Sequence, residues 1–140
     1  MSRKLTRGIR KYIPKVARGL PVGATLLCTD NSGAKELQLI TVLGYKGKQR
    51  KIGKAGVGDR INVSVLKGKQ ELRKQVLQAV VVRQKKPFRR VDGTWIQFED
   101  NAAVLIKAGG EPQGSELRGP MAREVTIMWP RVAAIASKIV

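Results

Sequence analysis

The side chains of this sequence with the clearest chemistry are its lysines and arginines, which number 28 against 10 acidic residues and give a formal net charge of +18. They cluster in residues 1–20, which contain no acid, and in residues 46–54, 67–74 and 83–90. Because a folded body with this charge repels itself unless a polyanion neutralises it, the composition predicts a nucleic-acid partner. Glycine, glutamine or proline accompanies the cations of the last three segments, which places them in loops where the backbone can approach a phosphate.

The candidate RNA-binding residues are drawn from these four segments, and we expect them to contact backbone phosphates rather than bases. They are Arg3, Lys4, Arg7, Arg10, Lys11, Lys15, Arg18, Lys46, Lys48, Arg50, Lys51, Lys54, Lys67, Lys69, Arg73, Lys74, Lys85, Lys86, Arg89 and Arg90. One charged loop alone is usually solvated, but four basic segments on one small body favour phosphate binding.

Residues suited to catalysis are scarce. The chain has no histidine and a single cysteine, so it lacks an imidazole base and the ligand cluster of a zinc site. One open alternative is a carboxylate-metal nuclease using Glu99, Asp100, Asp92 or Asp59, although residues 99–101 are more simply a turn between strands. We therefore expect no catalytic residue, metal, cofactor or small-molecule substrate, and a protein that is not an enzyme.

Aromatic side chains make up only 4% of the chain. Tyr45 and Phe88 lie inside basic segments and are the better candidates for base stacking, although Phe88 could equally anchor a hairpin. Trp95 and Phe98 are expected to fill the core or to contact a protein. A row of exposed aromatic rings would instead indicate the main alternative function, a free RNA- or DNA-binding factor with an oligonucleotide-binding type of barrel.

The single cysteine and the absence of long apolar runs point to an intracellular protein. Cys28 follows two leucines and is expected to be a small, buried side chain rather than a reactive thiol. No stretch is long and apolar enough to cross a bilayer, and residues 1–20 lack the apolar region of a secretory signal. We therefore expect a cytoplasmic protein without a membrane partner.

The elements that must hold these residues are mostly strands. A length of 140 residues fits one domain with its own core. We expect a basic N-terminal arm at 1–20 and a single barrel domain at 21–140, in which 109–140 form a C-terminal loop and helical part. Short β-branched runs separated by Gly, Asp and Asn are typical of a barrel or sandwich. The predicted strands lie near 25–30, 36–43, 60–66, 76–83, 94–98 and 102–107.

Local patterns add detail to this outline. Apolar residues alternate with polar ones in 60–66, whereas 79–82 and 102–106 are apolar throughout. In 37–42 the alternation slips by one residue, which predicts a β-bulge in a curved sheet. Residues 30–33 predict a turn, and Asp92-Gly93 predicts a type I′ hairpin.

The C-terminal residues show a helical spacing. Pro130 suits the first turn of a helix, and Val132, Ile135, Ala136 and Ile139 then share one face. We expect that helix to pack on the barrel.

Several motifs together resemble one protein family. The longest is Ala79-Val80-Val81-Val82, nine residues, Asp92-Gly93, four residues, Phe98, two residues, Asn101, two residues, Val104-Leu105. Other matching segments are 19–24, 30–35, 55–59, 71–76, 98–102 and 119–124. This pattern resembles the large-subunit ribosomal protein L-fourteen family, and the basic arm and the run at 129–133 resemble its archaeal and eukaryotic branch. Met121 stands where a branched aliphatic residue is expected, a mild departure.

The resemblance implies a small closed five-stranded barrel with a short C-terminal helical part. It also implies a structural constituent of the large ribosomal subunit, which binds large-subunit rRNA at the intersubunit face and contacts small-subunit rRNA at bridges. The implied protein partners are ribosomal proteins three and twenty-four e and an anti-association factor. The implied location is the cytoplasmic ribosome.

Overall fold

A computed structural model describes residues 14–140, which form a mostly β structure with two short helices. The strands are β1 (Leu20–Pro21), β2 (Thr25–Cys28), β3 (Ala34–Val42), β4 (Lys54–Ala55), β5 (Arg60–Gly68), β6 (Val76–Arg83), β7 (Phe88–Arg89), β8 (Trp95–Ile96), β9 (Ala102–Ile106), β10 (Leu117–Met121) and β11 (Ala136–Ile139). The helices are α1 (Arg123–Met128) and α2 (Pro130–Ala134). Neither helix is long enough to cross a membrane, and the described part of the chain contains no other.

Five strands close into a barrel in the order β2-β3-β5-β6-β9. Four of the contacts between neighbouring strands are antiparallel, and the parallel pair β2–β9 closes the ring. The predicted strands near 25–30, 36–43, 60–66, 76–83 and 102–107 correspond to these five, so the predicted fold class is confirmed. Closure removes the free edges that an open sheet of this size would expose.

The barrel interior is filled by inward-facing side chains, which alternate with outward-facing ones along the strands. In β5, Ile61 and Val63 are fully buried and Val65 nearly so, while the residues between them are partly exposed. Leu37 and Leu39 of β3 complete the same cluster. The period of two in the sequence therefore marks the inner and outer faces of the wall.

A second apolar layer explains why β6 and β9 carry no polar face. Alternate residues of these strands, such as Val80 and Val104, point outward into a cluster with Leu117, Met121 and Val125. The C-terminal segment thus covers one side of the barrel, and strands buried on both faces must be apolar throughout.

The predicted bulge in β3 is present. The pairing between β3 and β5 skips from Leu39↔Val63 to Thr41↔Asn62, which leaves Ile40 without a partner residue. The extra residue lets the strand bend, as closing a small barrel requires.

The C-terminal prediction was partly wrong. Helix α2 begins at Pro130 as expected but ends at Ala134, and Ala136–Ile139 form a strand parallel to β10. Ile139 is consequently 48% exposed rather than buried on a helix face. Backbone pairing with β10 satisfies the polar groups of this segment, and it overrides a helical spacing that rests on only four apolar residues.

The predicted strand at 94–98 was also too long. Only Trp95–Ile96 pair, with β7, and this hairpin lies outside the barrel. The hairpin turn is not type I′, because Asp92 does not adopt a positive φ. The amide of Gly93 donates to the carbonyl of Arg90 at 3.0 Å and Gly93 has φ +90°, as in a three-residue loop with a glycine bulge.

Candidate nucleic-acid interface

The strand directions decide which basic segments lie together. Strands β3 and β6 run toward the barrel end from which β5 starts, so the connections 43–59 and 84–101 both lie at that end, which we call the arm end. The connection 68–75 lies at the opposite end, which we call the far end. Residues 14–19, the described part of the N-terminal segment, are also held there, so basic residues from three of the four segments share the arm end.

Buried Gln84 is the residue that fixes this N-terminal segment. Its Nε2 donates to the carbonyl oxygens of Ala17 at 2.7 Å and Lys86 at 3.0 Å, and its Oε1 accepts from the amide of Val57 at 3.1 Å. One side chain thus ties the N-terminal segment and segment 83–90 to the connection 43–59 that contains the third basic segment. Nothing in the sequence indicated this role, since a glutamine between basic residues is ordinarily solvated.

Arg18 and Lys15 are both exposed at the arm end. The Arg18 guanidinium lies 5.1 Å from the centre of the Tyr45 ring and 3.5 Å from Oδ2 of Asp59. One face of Tyr45 is therefore occupied by a cation, which limits its use for base stacking.

The cations of 46–54 are all exposed. They are Lys46, Lys48, Arg50, Lys51 and Lys54. The Tyr45 ring packs on Gly47, where a Cβ would collide with the ring atom Cε1. The loop is thereby folded over its own tyrosine with its cations directed outward, an arrangement suited to a phosphate backbone.

The cations of segment 83–90 differ in their exposure to solvent. Lys85, Lys86 and Arg89 are exposed, but the Arg90 side chain is only 12% exposed. Its Nε donates to Oε1 of Glu124 at 2.8 Å and its Nη2 to the carbonyl of Val140 at 2.6 Å. Arg90 therefore holds the hairpin against the C-terminal part and has little capacity left for a phosphate.

Sequence reasoning missed Arg123. It lines one surface cleft with Lys15 and Arg89 although it is distant from both in sequence. Asp92 borders the same cleft, and its pKa is lowered chiefly by hydrogen bonds from the amide and hydroxyl of Thr94. The nearby Arg90 and Arg123 lower it further.

The far end carries the remaining segment. Lys67, Lys69 and Arg73 line a depression together with Lys35, which the sequence did not single out, and Lys74 is exposed nearby. Nζ of Lys67 lies 3.1 Å from Oε1 of Glu36. The alkyl stem of Lys69 lies on Gly33, where a Cβ would come within 2.6 Å of it.

One row of the barrel wall between the two ends carries uncharged side chains. Outward-facing Thr25, Gln38, Ser64 and Val76 form this row across four strands. The described cations of the predicted basic segments therefore lie toward the two ends of the barrel, on either side of this row. The remaining candidates, Arg3, Lys4, Arg7, Arg10 and Lys11, lie outside the described residues.

Some of the predictions for the aromatic side chains agree with the structure and others do not. Phe88 and Phe98 are buried, so Phe88 anchors its hairpin and is not a stacking ring. Trp95 was expected to be a core residue or a protein contact, but it is 65% exposed, so the core assignment was wrong. Nε1 of Trp129 donates to the carbonyl of Gly58 at 2.8 Å. Within residues 14–140 the rings form no exposed row of the kind that the alternative binding factor requires.

Of the four carboxylates of the nuclease alternative, Asp100, Asp59 and Asp92 are engaged in structural contacts and Glu99 is exposed. Asp100 pairs with Arg83, and Oδ2 of Asp59 accepts from the amide of Gly56 at 2.8 Å. Burial raises the pKa of Asp59, against the opposing effects of the Gly56 amide and of Arg18. No group of three or more potential metal ligands occurs within residues 14–140.

Cys28 is half-buried rather than fully buried as expected, and its surroundings disfavour the reactive thiolate. Its thiol donates to Oδ1 of Asp30 at 2.9 Å. Burial, followed by the adjacent Asp30 charge, raises the pKa of the thiol to about 12. Asp30 also accepts from the amide of Leu105 through Oδ2 at 3.1 Å, so the pair joins β2 to β9.

Comparison with known proteins shows to which family the chain belongs. Residues 19–140 match the family described as ribosomal protein L14p/L23e. The chain is 58% identical to the large ribosomal subunit protein uL14 of Thermoplasma volcanium over 123 residues, which cover 88% of this chain and 93% of that protein. It is 52% identical to the uL14 of Halobacterium salinarum over 125 residues, which cover 89% of this chain and 95% of that protein. With this agreement along the whole barrel and its C-terminal part, the chain belongs to the ribosomal protein L14p/L23e family.

Proposed function

We propose that this protein is a structural constituent of the large ribosomal subunit, placed in the cytoplasmic ribosome, where it binds rRNA through backbone phosphates. The observation that carries the proposal is the grouping of basic residues from three segments at the arm end, where Gln84 joins residues 14–19, the connection 43–59 and segment 83–90. A rigid set of exposed cations with few free rings suits the phosphates of folded RNA better than the bases of a single strand.

The far end supports a second RNA contact. A fully extended strand rises about 3.3 Å per residue, so β5, with its nine residues, separates the two charged ends by roughly 26 Å. This separation leaves room for a second RNA element at the depression around Lys67, Lys69 and Arg73. We assign the arm end to large-subunit rRNA and the far end to small-subunit rRNA at an intersubunit bridge. Ribosomal proteins three and twenty-four e and an anti-association factor are the protein partners proposed with it.

The first experiment is sedimentation. The protein in its own cells should migrate with large ribosomal subunits in a sucrose gradient at low salt. A protein found free of large subunits would contradict the proposal and favour the free binding factor.

The second experiment tests the arm end with purified protein and large-subunit rRNA. Replacing Lys46, Lys48 and Lys51 by Gln should weaken binding and reduce the slope of log affinity against log salt by roughly 0.7 to 0.9 for each phosphate that the variant no longer neutralises. The matched control replaces three exposed cations outside the four segments, Lys107, Arg131 and Lys138, and removes the same charge. Equal weakening in both variants would mean that only net charge matters and would contradict the assigned surface.

The third experiment tests the far end. Large subunits carrying Lys67→Gln, Lys69→Gln and Arg73→Gln should assemble normally but join small subunits less readily, as measured by sedimentation of reassociated particles. Failure of the variant to enter large subunits, or unchanged joining of the subunits that contain it, would contradict the assignment of the far end.

A non-catalytic role is the last part of the proposal. Incubation of RNA with the protein and Mg²⁺ or Mn²⁺ should give no cleavage above that of an Asp100→Asn variant. Cleavage that requires Asp100 would establish the nuclease.

A further inference from the structure

The hairpin formed by β7 and β8 displays a tryptophan that the fold does not use. Trp95 is 65% exposed, and Val91 at the turn is 90% exposed. The three cation–ring contacts among residues 14–140 involve Tyr45, Phe88 and Trp129, so no cation lies over the Trp95 indole within that part of the chain. A large exposed indole buries little area in the free protein, so the fold offers no reason for its presence.

The hairpin holds this indole beside a cation. Arg89 and Trp95 are directly opposite in the antiparallel pair, and both are exposed, so they project from the same face. The amide of Arg90 donates to the carbonyl of Thr94 at 2.9 Å, which makes Arg90 and Thr94 a hydrogen-bonded pair. Since such pairs alternate along a ladder, Arg89 and Trp95 form a non-hydrogen-bonded pair, in which side chains lie closest.

The base of the hairpin is fixed. Phe88, beside Arg89, is buried in the second apolar layer, outside the barrel. Ile96, beside Trp95, packs against the same cluster. Arg90 is held by Glu124 at 2.8 Å. The Arg89–Trp95 pair is therefore presented on a rigid support, so little conformational entropy is lost when a ligand binds.

The charges around the pair select the ligand. Arg89 lines one cleft with Lys15 and Arg123, and a Cβ at Gly93 would lie 3.8 Å from Nη2 of Arg89. The guanidinium thus reaches toward the turn and does not lie over the indole. The acids of this region are already engaged, because Glu124 pairs with Arg90 and Asp92 accepts from the amide of Thr94 at 2.9 Å. An exposed ring opposite an exposed guanidinium complements an aromatic anion.

We propose that the Arg89–Trp95 pair is a binding site for one unpaired nucleotide of RNA, with the base stacked on the Trp95 indole and its phosphate held by Arg89. The site rests on the proposed RNA-binding function and adds to it a contact that requires an unstacked base. Stacking of this kind favours single-stranded or bulged nucleotides, because bases within a helix have no free face.

Fluorescence gives a direct test with the full chain. The chain contains two tryptophans, so the difference between wild type and Trp95→Phe reports Trp95. Titration with single-stranded oligoadenylate of twelve nucleotides should quench the wild type, while a twelve-base-pair RNA duplex should leave the Trp95 signal unchanged. Both proteins should fold, because Trp95 is exposed. Equal quenching by the duplex, or none by the single strand, would overturn the site.

Affinity separates this site from general RNA binding. Trp95→Ala should weaken oligoadenylate binding by roughly 5- to 150-fold with the salt slope unchanged, whereas Trp95→Phe should retain most of the affinity. Arg89→Gln should lower both affinity and slope. If wild type and Trp95→Ala bind oligoadenylate equally, the nucleotide site is wrong and Trp95 is a protein contact, while the proposed rRNA function stands. If the wild type fails to bind rRNA itself, the proposed function fails as well.

Discussion

Arg83 and Asp100 form a two-point ion pair at the arm end of the barrel. Nε of Arg83 donates to Oδ1 and Nη2 donates to Oδ2, each at 2.9 Å. Nη1 of Arg83 donates to the carbonyl oxygens of Arg118 at 3.1 Å and Pro120 at 3.0 Å. One guanidinium therefore joins the end of β6, the turn at 99–101 and strand β10, and this cation belongs to the fold rather than to the RNA-binding surface.

Removing the partner of Arg83 should be strongly destabilising. Asp100→Ala leaves a guanidinium whose side chain is 8% exposed without its countercharge, and we expect the free energy of unfolding to fall by about 3 kcal/mol. Urea denaturation measures this value. The matched control is Glu111→Ala, which breaks an exposed pair with Arg131 and should cost less than about 1 kcal/mol. Equal destabilisation by the two variants would show that burial does not govern these pairs.

Lys74 has a positive φ of 65°, which is unfavourable for a residue with a side chain. Lys74→Gly and Lys74→Ala remove the same charge, but only glycine relieves the backbone. We expect the glycine variant to be more stable than the alanine variant by about 0.5–1 kcal/mol in urea denaturation. Both should affect RNA binding equally. An alanine variant as stable as the glycine variant would contradict a left-handed conformation at this position.

Cys28 should resist alkylation in the folded protein. A thiol with a pKa of about 12 is ionised at pH 8 to only about one part in ten thousand, and the thiolate is the reactive form. We expect iodoacetamide to modify Cys28 slowly in buffer and rapidly in 6–8 M urea, as followed by mass spectrometry. Asp30→Asn should raise the folded rate, because it removes the adjacent negative charge. Rapid modification of the folded wild type would contradict the raised pKa of the thiol.

Asp59 should make stability fall as pH rises in the acidic range. Its folded pKa is raised above 3.8, chiefly by burial, so the folded protein holds this proton to higher pH than the unfolded chain. The contribution is therefore present below pH 3.8 and is lost as pH rises through the folded pKa. The stability of wild type relative to Asp59→Asn should decrease in urea denaturation as pH rises above 3.8 through the folded pKa.

Asp92 provides a comparison of opposite sign. Its pKa is lowered, first by the Thr94 amide, so its stabilising contribution is present above pH 3.8 and is lost on acidification. Wild type relative to Asp92→Asn should therefore gain stability as pH rises to about 3.8 and should change little above it. Matching trends for the two variants would contradict the assigned environments.

Most of the barrel could be predicted because its signals are local. The alternation in 60–66, the slip in 37–42 and the apolar run at 102–106 each report a neighbourhood of a few residues, and the structure confirms all three. The C-terminal strand could not be predicted in this way. Residues 136–139 pair with β10, a partner about twenty residues away, and no local pattern records that pairing.

The candidate site, like the fold, could be predicted from the sequence only in part. Composition alone determined that the chain must meet a polyanion, because +18 on 140 residues requires neutralisation. Sequence could not distinguish Arg89 from its neighbour Arg90, since both are basic residues of one hairpin. Their roles differ because Arg90 faces Glu124, a residue 34 positions away, while Arg89 faces solvent.

The sequence by itself thus determined the amount of charge, the β class and the family, since these depend on composition, period and motif. Only the tertiary structure decided that three basic segments share one barrel end, that the fourth lies at the other, and that Trp95 stands exposed beside Arg89. The physical reason is that strand direction and closure bring distant residues together. A cation's partner is fixed by that placement and not by its neighbours in the chain.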